Sequence, residues 1–289
     1  MTPEEIRSLL FFWSCRRRRY WRQCRRRYFL HYIASRLGRN GCDDALCRRA
    51  FALDRRVTPR AFVRIILCQA MHELFYGSGG RGTLVRQAVS CFRNEVNTML
   101  LHPESARLVV DGIFADGGNV KAVTDEIEEN IRQTASATAE NFWDKIDLVP
   151  AFYRRPVDRP QKVHFMELDC FFVPVLALVR HGELWILESN ATNDDGELIS
   201  CLHRMWAANE LGRDPTLVKS LYLDDGFKLG ELDPLPSVSA SLNEIRRTIS
   251  EMKQAEMDGY VTISDFPPSP GNVCPGCQFR TFCEEKKNM

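Results

Sequence analysis

No stretch of this sequence approaches the roughly 20 consecutive apolar residues that a membrane-spanning helix requires. Its first residues, Met1-Thr2-Pro3-Glu4-Glu5-Ile6, have neither the basic start nor the apolar core of a secretory signal. Both absences point to a cytoplasmic protein with no membrane partner. Reduced thiols are the rule in that compartment, so eleven cysteines in 289 residues read poorly as disulfides. There is no internal repeat, which removes solenoids and propellers. Lysine is missing from residues 1–60, yet that stretch holds sixteen arginines against five acids, about +11, while the net charge of the whole chain is only +1. Such an asymmetry suggests one surface for an anionic partner rather than general stickiness.

The composition is otherwise that of a soluble globular chain, at 44% hydrophobic and 27% charged. Trp21, Cys24, Tyr28 and Tyr32 recur at helical spacing, and that helix is expected to end near Gly38. Helices are also expected over 59–75, 83–101, 119–148, 198–211 and 238–258. Strand patterning occupies 163–169, 171–179, 184–188 and 217–223, with Pro174 requiring an edge or a bulge. Four stretches follow: an arginine-rich helical segment (1–60), a helical region (61–150), an α/β core (151–266) and a cysteine-bearing tail (267–289), expected to form one integrated domain.

The tail carries chemistry. Cys274-Pro-Gly-Cys277 places two thiols on a tight turn, and Cys283 follows. Iron–sulfur clusters and structural zinc both take four such ligands. Structural zinc usually draws on two close pairs, and the sequence has no second Cys-x-x-Cys. Three clustered cysteines and one remote cysteine therefore favour a cubane cluster over zinc.

Taken in order, these features resemble the iron–sulfur members of the RecB-like exonuclease family of the PD-(D/E)xK superfamily, as found in CRISPR adaptation and in AddB-type recombination enzymes. Cys24-Arg-Arg-Arg-Tyr28 resembles the family's N-terminal cysteine segment, and Ala70-Met-His72-Glu-Leu-Phe75 its helical histidine motif. Glu167-Leu-Asp169 followed by Leu187-Glu188-Ser-Asn190 resembles its acidic motif, and Cys274, Cys277 and Cys283 complete its cluster. The resemblance implies an α/β fold: a restriction-endonuclease-like core, with a mixed central sheet flanked by helices, a helical insertion and a 4Fe-4S cluster clasping the two termini. Cys24 would be the fourth cluster ligand, with Cys15, Cys42 and Cys47 as substitutes. Asp169 and Glu188 would hold Mg²⁺ or Mn²⁺, assisted by His72, with Glu167 in a secondary position. The ion would activate water and stabilise charge on the phosphate being cut.

Asn190 departs from the family, which has lysine there; Lys162 is a candidate substitute. The family's later Gln-x-x-x-Tyr is also absent. Two functions therefore stand side by side. One is a metal-dependent DNA exonuclease acting on single-stranded or frayed ends. The other is a degenerate nuclease fold that binds DNA or scaffolds a nucleic-acid-processing complex of CRISPR, recombination or defence type. The DNA surface is expected at Arg16, Arg17, Arg18, Arg19, Arg22, Arg25, Arg26, Arg27 and Tyr28, because guanidinium forks pair with phosphates and aromatic faces stack on bases. Docking onto an acidic protein partner is the alternative use of the same surface.

Overall fold

The computed structural model describes residues 3–7, 9–76, 83–103, 106, 108–111, 113, 119–146, 161–180, 183–188, 195–212, 217–223, 227–232, 238–257, 261–269, 271 and 274–284. Its helices are α1 (Pro3–Arg7), α2 (Cys15–Gln23), α3 (Arg25–Phe29), α4 (Ser35–Arg39), α5 (Ala45–Asp54), α6 (Pro59–Tyr76), α7 (Leu84–Leu101), α8 (Val120–Ile146), α9 (Gly196–Leu211), α10 (Val238–Met257) and α11 (Arg280–Glu284). A four-stranded sheet contains β1 (Leu176–Arg180), β2 (Glu183–Glu188), β3 (Val218–Leu223) and β4 (Leu229–Glu231). The protein is thus mixed α/β and mainly helical. No helix among the described residues is long and apolar enough to cross a membrane.

Two compact units interleave along the chain. Unit 1 comprises Met1–Val57, Phe165–Phe171 and Asn243–Met289; unit 2 comprises Thr58–His164 and Phe172–Leu242. All but the last three residues of the first stretch read from the sequence, and the whole of the last, therefore fall in unit 1.

In unit 1 the expected single helix is broken. Ser14 caps α2 by accepting the Arg17 N–H at 3.1 Å. The helix stops at Cys24, whose backbone is extended (φ −162°, ψ 110°), and restarts as α3. A π-helical turn over Leu30–Ala34 then leads into α4. Restarting a helix leaves first-turn N–H groups without helical acceptors. One of them, on Arg26, donates to the Pro267 carbonyl at 3.3 Å. Phe266 fills the space beside it, stacked on Tyr28 and tilted against Phe29 with centroids 6.3 and 5.1 Å away. Gly41 makes the turn after α4 at φ +88°, and Asp44 caps α5. Gly38 permits the close crossing of α4 and α5, since a Cβ there would lie 2.2 Å from the Cys47 carbonyl oxygen.

In unit 2 the sheet is mixed. β1 and β2 form an antiparallel hairpin, β2 and β3 run parallel, and β4 returns antiparallel to β3. The connection between the parallel strands is α9, closed by Gly212 in the left-handed region (φ 57°). Leu184-Trp185-Ile186-Leu187 is buried throughout, as a strand covered on both faces requires. The run 171–179 is not one strand: Pro174, which cannot donate to a ladder, lies between strand residues Cys170–Phe172 and β1. Tyr76 ties α6 to β1, its hydroxyl donating to the Ala177 carbonyl at 3.0 Å and accepting the Ala177 N–H at 2.9 Å.

Candidate metal centre

Cys24, Cys274, Cys277 and Cys283 all belong to unit 1. Cys24 is buried and the three tail cysteines are half-buried. The tail is fastened to the N-terminal helices at two points. Arg26 gives its backbone N–H to Pro267 and its Nε to the Phe266 carbonyl, each at 3.3 Å. Gln278, the residue after Cys277, donates to Asp54 Oδ1 at 3.2 Å. Asp54 is itself held by Ser35 at 2.9 Å and by His31 Nδ1. Arg49 lies over the Phe282 ring at 4.5 Å.

The tail cysteines are carried on tight turns. The Cys277 N–H donates to the Cys274 carbonyl at 3.2 Å, and the Arg280 N–H donates to the Cys277 carbonyl at 3.1 Å. Burial pushes the Cys277 thiol up; the Phe279 backbone N–H and the Arg27 charge pull it down, while Cys24 and Cys283 push it up again. Three of the four sulfurs therefore share one electrostatic neighbourhood. Among the described residues no three His, Cys, Asp or Glu side chains are already gathered as a metal-holding group. In kind, the four thiols are the donors that a four-thiolate cluster takes, and the Arg27 charge favours the Cys277 thiolate. Cys42 and Cys47 are hydrogen-bonded to one another, and burial pushes the Cys47 thiol to about 12.

The arginine-rich segment requires a correction. Arg17, Arg18, Arg26 and Tyr28 are buried, so none is a surface contact for phosphate or base. Arg17 is fully enclosed: Nη2 meets Glu256 at 2.5 Å, Nε donates to the Tyr28 hydroxyl at 3.0 Å, and Nη1 reaches the Phe12 carbonyl at 3.3 Å. The Tyr28 hydroxyl donates to the same Glu256 carboxylate. Arg18 and Arg22 share Glu244, at 3.0 and 2.5 Å. Trp21 Nε1 donates to Glu251 at 3.2 Å, and Arg25 lies over the Trp21 ring at 3.1 Å. Arg27 donates to the Tyr20 hydroxyl at 3.0 Å, and Arg16 to the same oxygen at 3.2 Å. Only Arg16 and Arg22 of the set are exposed; Arg19, Arg25 and Arg27 are half-buried. The repulsion within the run is relieved by the acids of α10.

The acidic motif also differs from expectation. Asp169 does not end a strand. It follows a 3₁₀ turn (Met166–Leu168) in the left-handed region at φ 38°, and its carbonyl accepts the Trp13 N–H at 2.8 Å. Its carboxylate is paired with the Lys253 ammonium. Glu167 lies in that turn and not on a strand, so the shared strand face expected for it and Asp169 does not arise. Asp169 belongs to unit 1, whereas Glu188, at the end of β2, and His72, on α6, belong to unit 2. His72 is half-buried, its ring 5.2 Å from that of Tyr76 and its Nδ1 3.9 Å from Glu73. Lys162 is exposed ahead of the strand residues Val163–Phe165, and Asn190 lies outside the described residues.

The residues missed from sequence are Glu244, Glu251, Glu256 and Lys253. A signal existed: Glu244 and Glu251 are seven apart, two helical turns, on the amphipathic helix that balances the basic N-terminus. No protein-family model, curated protein or solved structure matches the chain.

Proposed function

We propose that unit 1 is an iron–sulfur module in which Cys24, Cys274, Cys277 and Cys283 hold a 4Fe-4S cluster. The chain is then a DNA-binding or scaffolding protein of RecB-like, PD-(D/E)xK type, with its cleavage chemistry lost. The observation that carries this reading is the double hydrogen bond from Arg26 to Pro267 and Phe266. It draws the tail towards the helix break at Cys24, so a four-cysteine cluster would staple what the backbone already joins. Such a cluster acts structurally, as ligand-closed metal sites do when they supply folding energy. The mixed sheet with its α9 crossover agrees with the fold expected from the motifs, and the order of those motifs supports the family.

Loss of cleavage is favoured by Asp169. Its Oδ2 is already paired with the part-exposed Lys253 ammonium, which competes with Mg²⁺ or Mn²⁺ by up to about 1 kcal/mol. The test is end-labelled single- and double-stranded DNA incubated with anaerobically purified protein and Mn²⁺, beside an Asp169→Ala control. A mobility shift that weakens steeply with salt, without cleavage, is the expected result. Cleavage that disappears in the control contradicts this half of the reading and returns the protein to the exonucleases.

A further inference from the structure

Unit 2 contains a groove that none of the motifs above explains. It is a cavity of about 480 Å³ between α7 and α8, lined by Thr83, Arg86, Ser90, Arg93, Asn94 and Arg132 among others. The buried residues of α7 include Leu84, Ala88, Cys91, Phe92, Val96 and Met99. Thr83, Arg86, Ser90, Arg93 and Asn94 recur at helical spacing on the other side, so the polar face is as regular as the apolar one.

A row of arginines on a helix is ordinarily a solvated face. Three observations separate this one from that. The face is concave rather than flat. Its guanidiniums come from two helices, and Glu128 fixes two of them: Arg93 donates through Nε at 3.1 Å and Nη2 at 2.9 Å, and Arg132 through Nη2 at 2.6 Å. Arg93 chiefly holds the Glu128 carboxyl below its ordinary range, so the clamp stays charged. Arg86 brings a third guanidinium to the groove beside the Glu128-held pair. The first turn of the 18-residue α7 opens onto the same groove, its Thr83 side chain already capping the Arg86 N–H at 3.3 Å. The positive end of the helix adds to the field there.

Hydroxyl, amide and guanidinium donors around one concave, positive space are the complement of a phosphate group. We propose that this groove is a phosphate-binding site, with Arg86, Arg93 and Arg132 as the charged ligands and Ser90 and Asn94 completing the donor set. The shared chemistry is a phosphate ester, carried either by a small nucleotide or by the backbone of a single-stranded nucleic acid. The site lies wholly within unit 2, and the inference does not depend on the cluster.

The test uses the full-length chain. Pyrophosphate and ADP are titrated calorimetrically, and a fluorescein-labelled single-stranded oligonucleotide is followed by anisotropy. Two variants are compared: the double replacement Arg86→Ala with Arg132→Ala, and Ser90→Glu, which brings a carboxylate into the groove while leaving the Glu128 clamp untouched. Each is expected to weaken binding roughly tenfold or more, the loss of about one charge-assisted contact, with an unchanged melting temperature. Loss for pyrophosphate and ADP alone assigns a small phosphate ester; loss for the oligonucleotide assigns a nucleic-acid backbone. Wild-type protein that binds none of the three probes, or Ser90→Glu protein that binds them as wild type does, overturns the proposal.

Discussion

The Arg17 guanidinium and the Glu256 carboxylate meet at 2.5 Å, 239 residues apart in sequence, with the Tyr28 hydroxyl bonded to both. Arg17 is only 1% exposed, so removing one partner strands a charge inside unit 1. Glu256→Ala is expected to cost about 3–5 kcal/mol, and Tyr28→Phe about 1–2 kcal/mol. Urea denaturation of both variants checks this; a loss below about 1 kcal/mol for Glu256→Ala would contradict the buried assignment.

His203 on α9 supplies a pH dependence. It is fully buried, and neither ring nitrogen has a hydrogen-bond partner among the described residues. Burial lowers its pKa from 6.5 to about 3. The unfolded chain therefore takes up a proton as pH falls below 6.5, and the folded chain does not until about 3. Stability from this residue is complete above pH 6.5 and drains away across that window, at about 1.4 kcal/mol per unit. In His203→Leu the slope of stability against pH over that range is expected to flatten by about one proton. An unchanged slope would show that His203 does not titrate as stated.

Gly38 tests the crossing of α4 and α5. With the Cys47 carbonyl oxygen 2.2 Å from any added Cβ, Gly38→Ala must push backbone apart. A loss of about 3 kcal/mol is expected, although alanine is the better helix former by nearly 1 kcal/mol. A neutral or stabilising Gly38→Ala in thermal denaturation would refute the close approach.

Much of the fold was legible because its signals are local. The apolar period of α6 and α7, the buried run of β2 and Gly212 after α9 each needed only neighbouring residues. The arginine run was misleading for the opposite reason. Whether Arg17 faces DNA or Glu256 is decided by a partner more than two hundred residues away, and periodicity cannot register that. The setting of Asp169 was hidden for the same reason: its left-handed backbone accompanies a hydrogen bond from Trp13, and its carboxylate is paired with Lys253. The tail cysteines stand out by spacing, and Cys24 by its motif, as candidates only. The helix break that exposes Arg26 to Pro267 was not legible, because helical spacing continues through it.

If the exposed arginines do serve DNA, their effect separates from that of the buried ones. Arg16→Glu with Arg22→Glu is expected to weaken oligonucleotide binding and lower its salt slope by up to about two. Folding should change by no more than about 2 kcal/mol, since Arg22 holds an exposed pair with Glu244 and Arg16 a part-buried bond to the Tyr20 hydroxyl. Anisotropy over a salt series beside thermal denaturation reads both. Unchanged affinity would direct attention away from α2.

The cluster is the claim on which the rest of unit 1 depends, and metal analysis of anaerobically purified protein addresses it most directly. About four irons per chain, with matching sulfide and a visible charge-transfer band, are expected for wild type, and both should be lost in Cys24→Ser and Cys277→Ser. Colourless wild-type protein, or protein holding one zinc in place of iron, would contradict it.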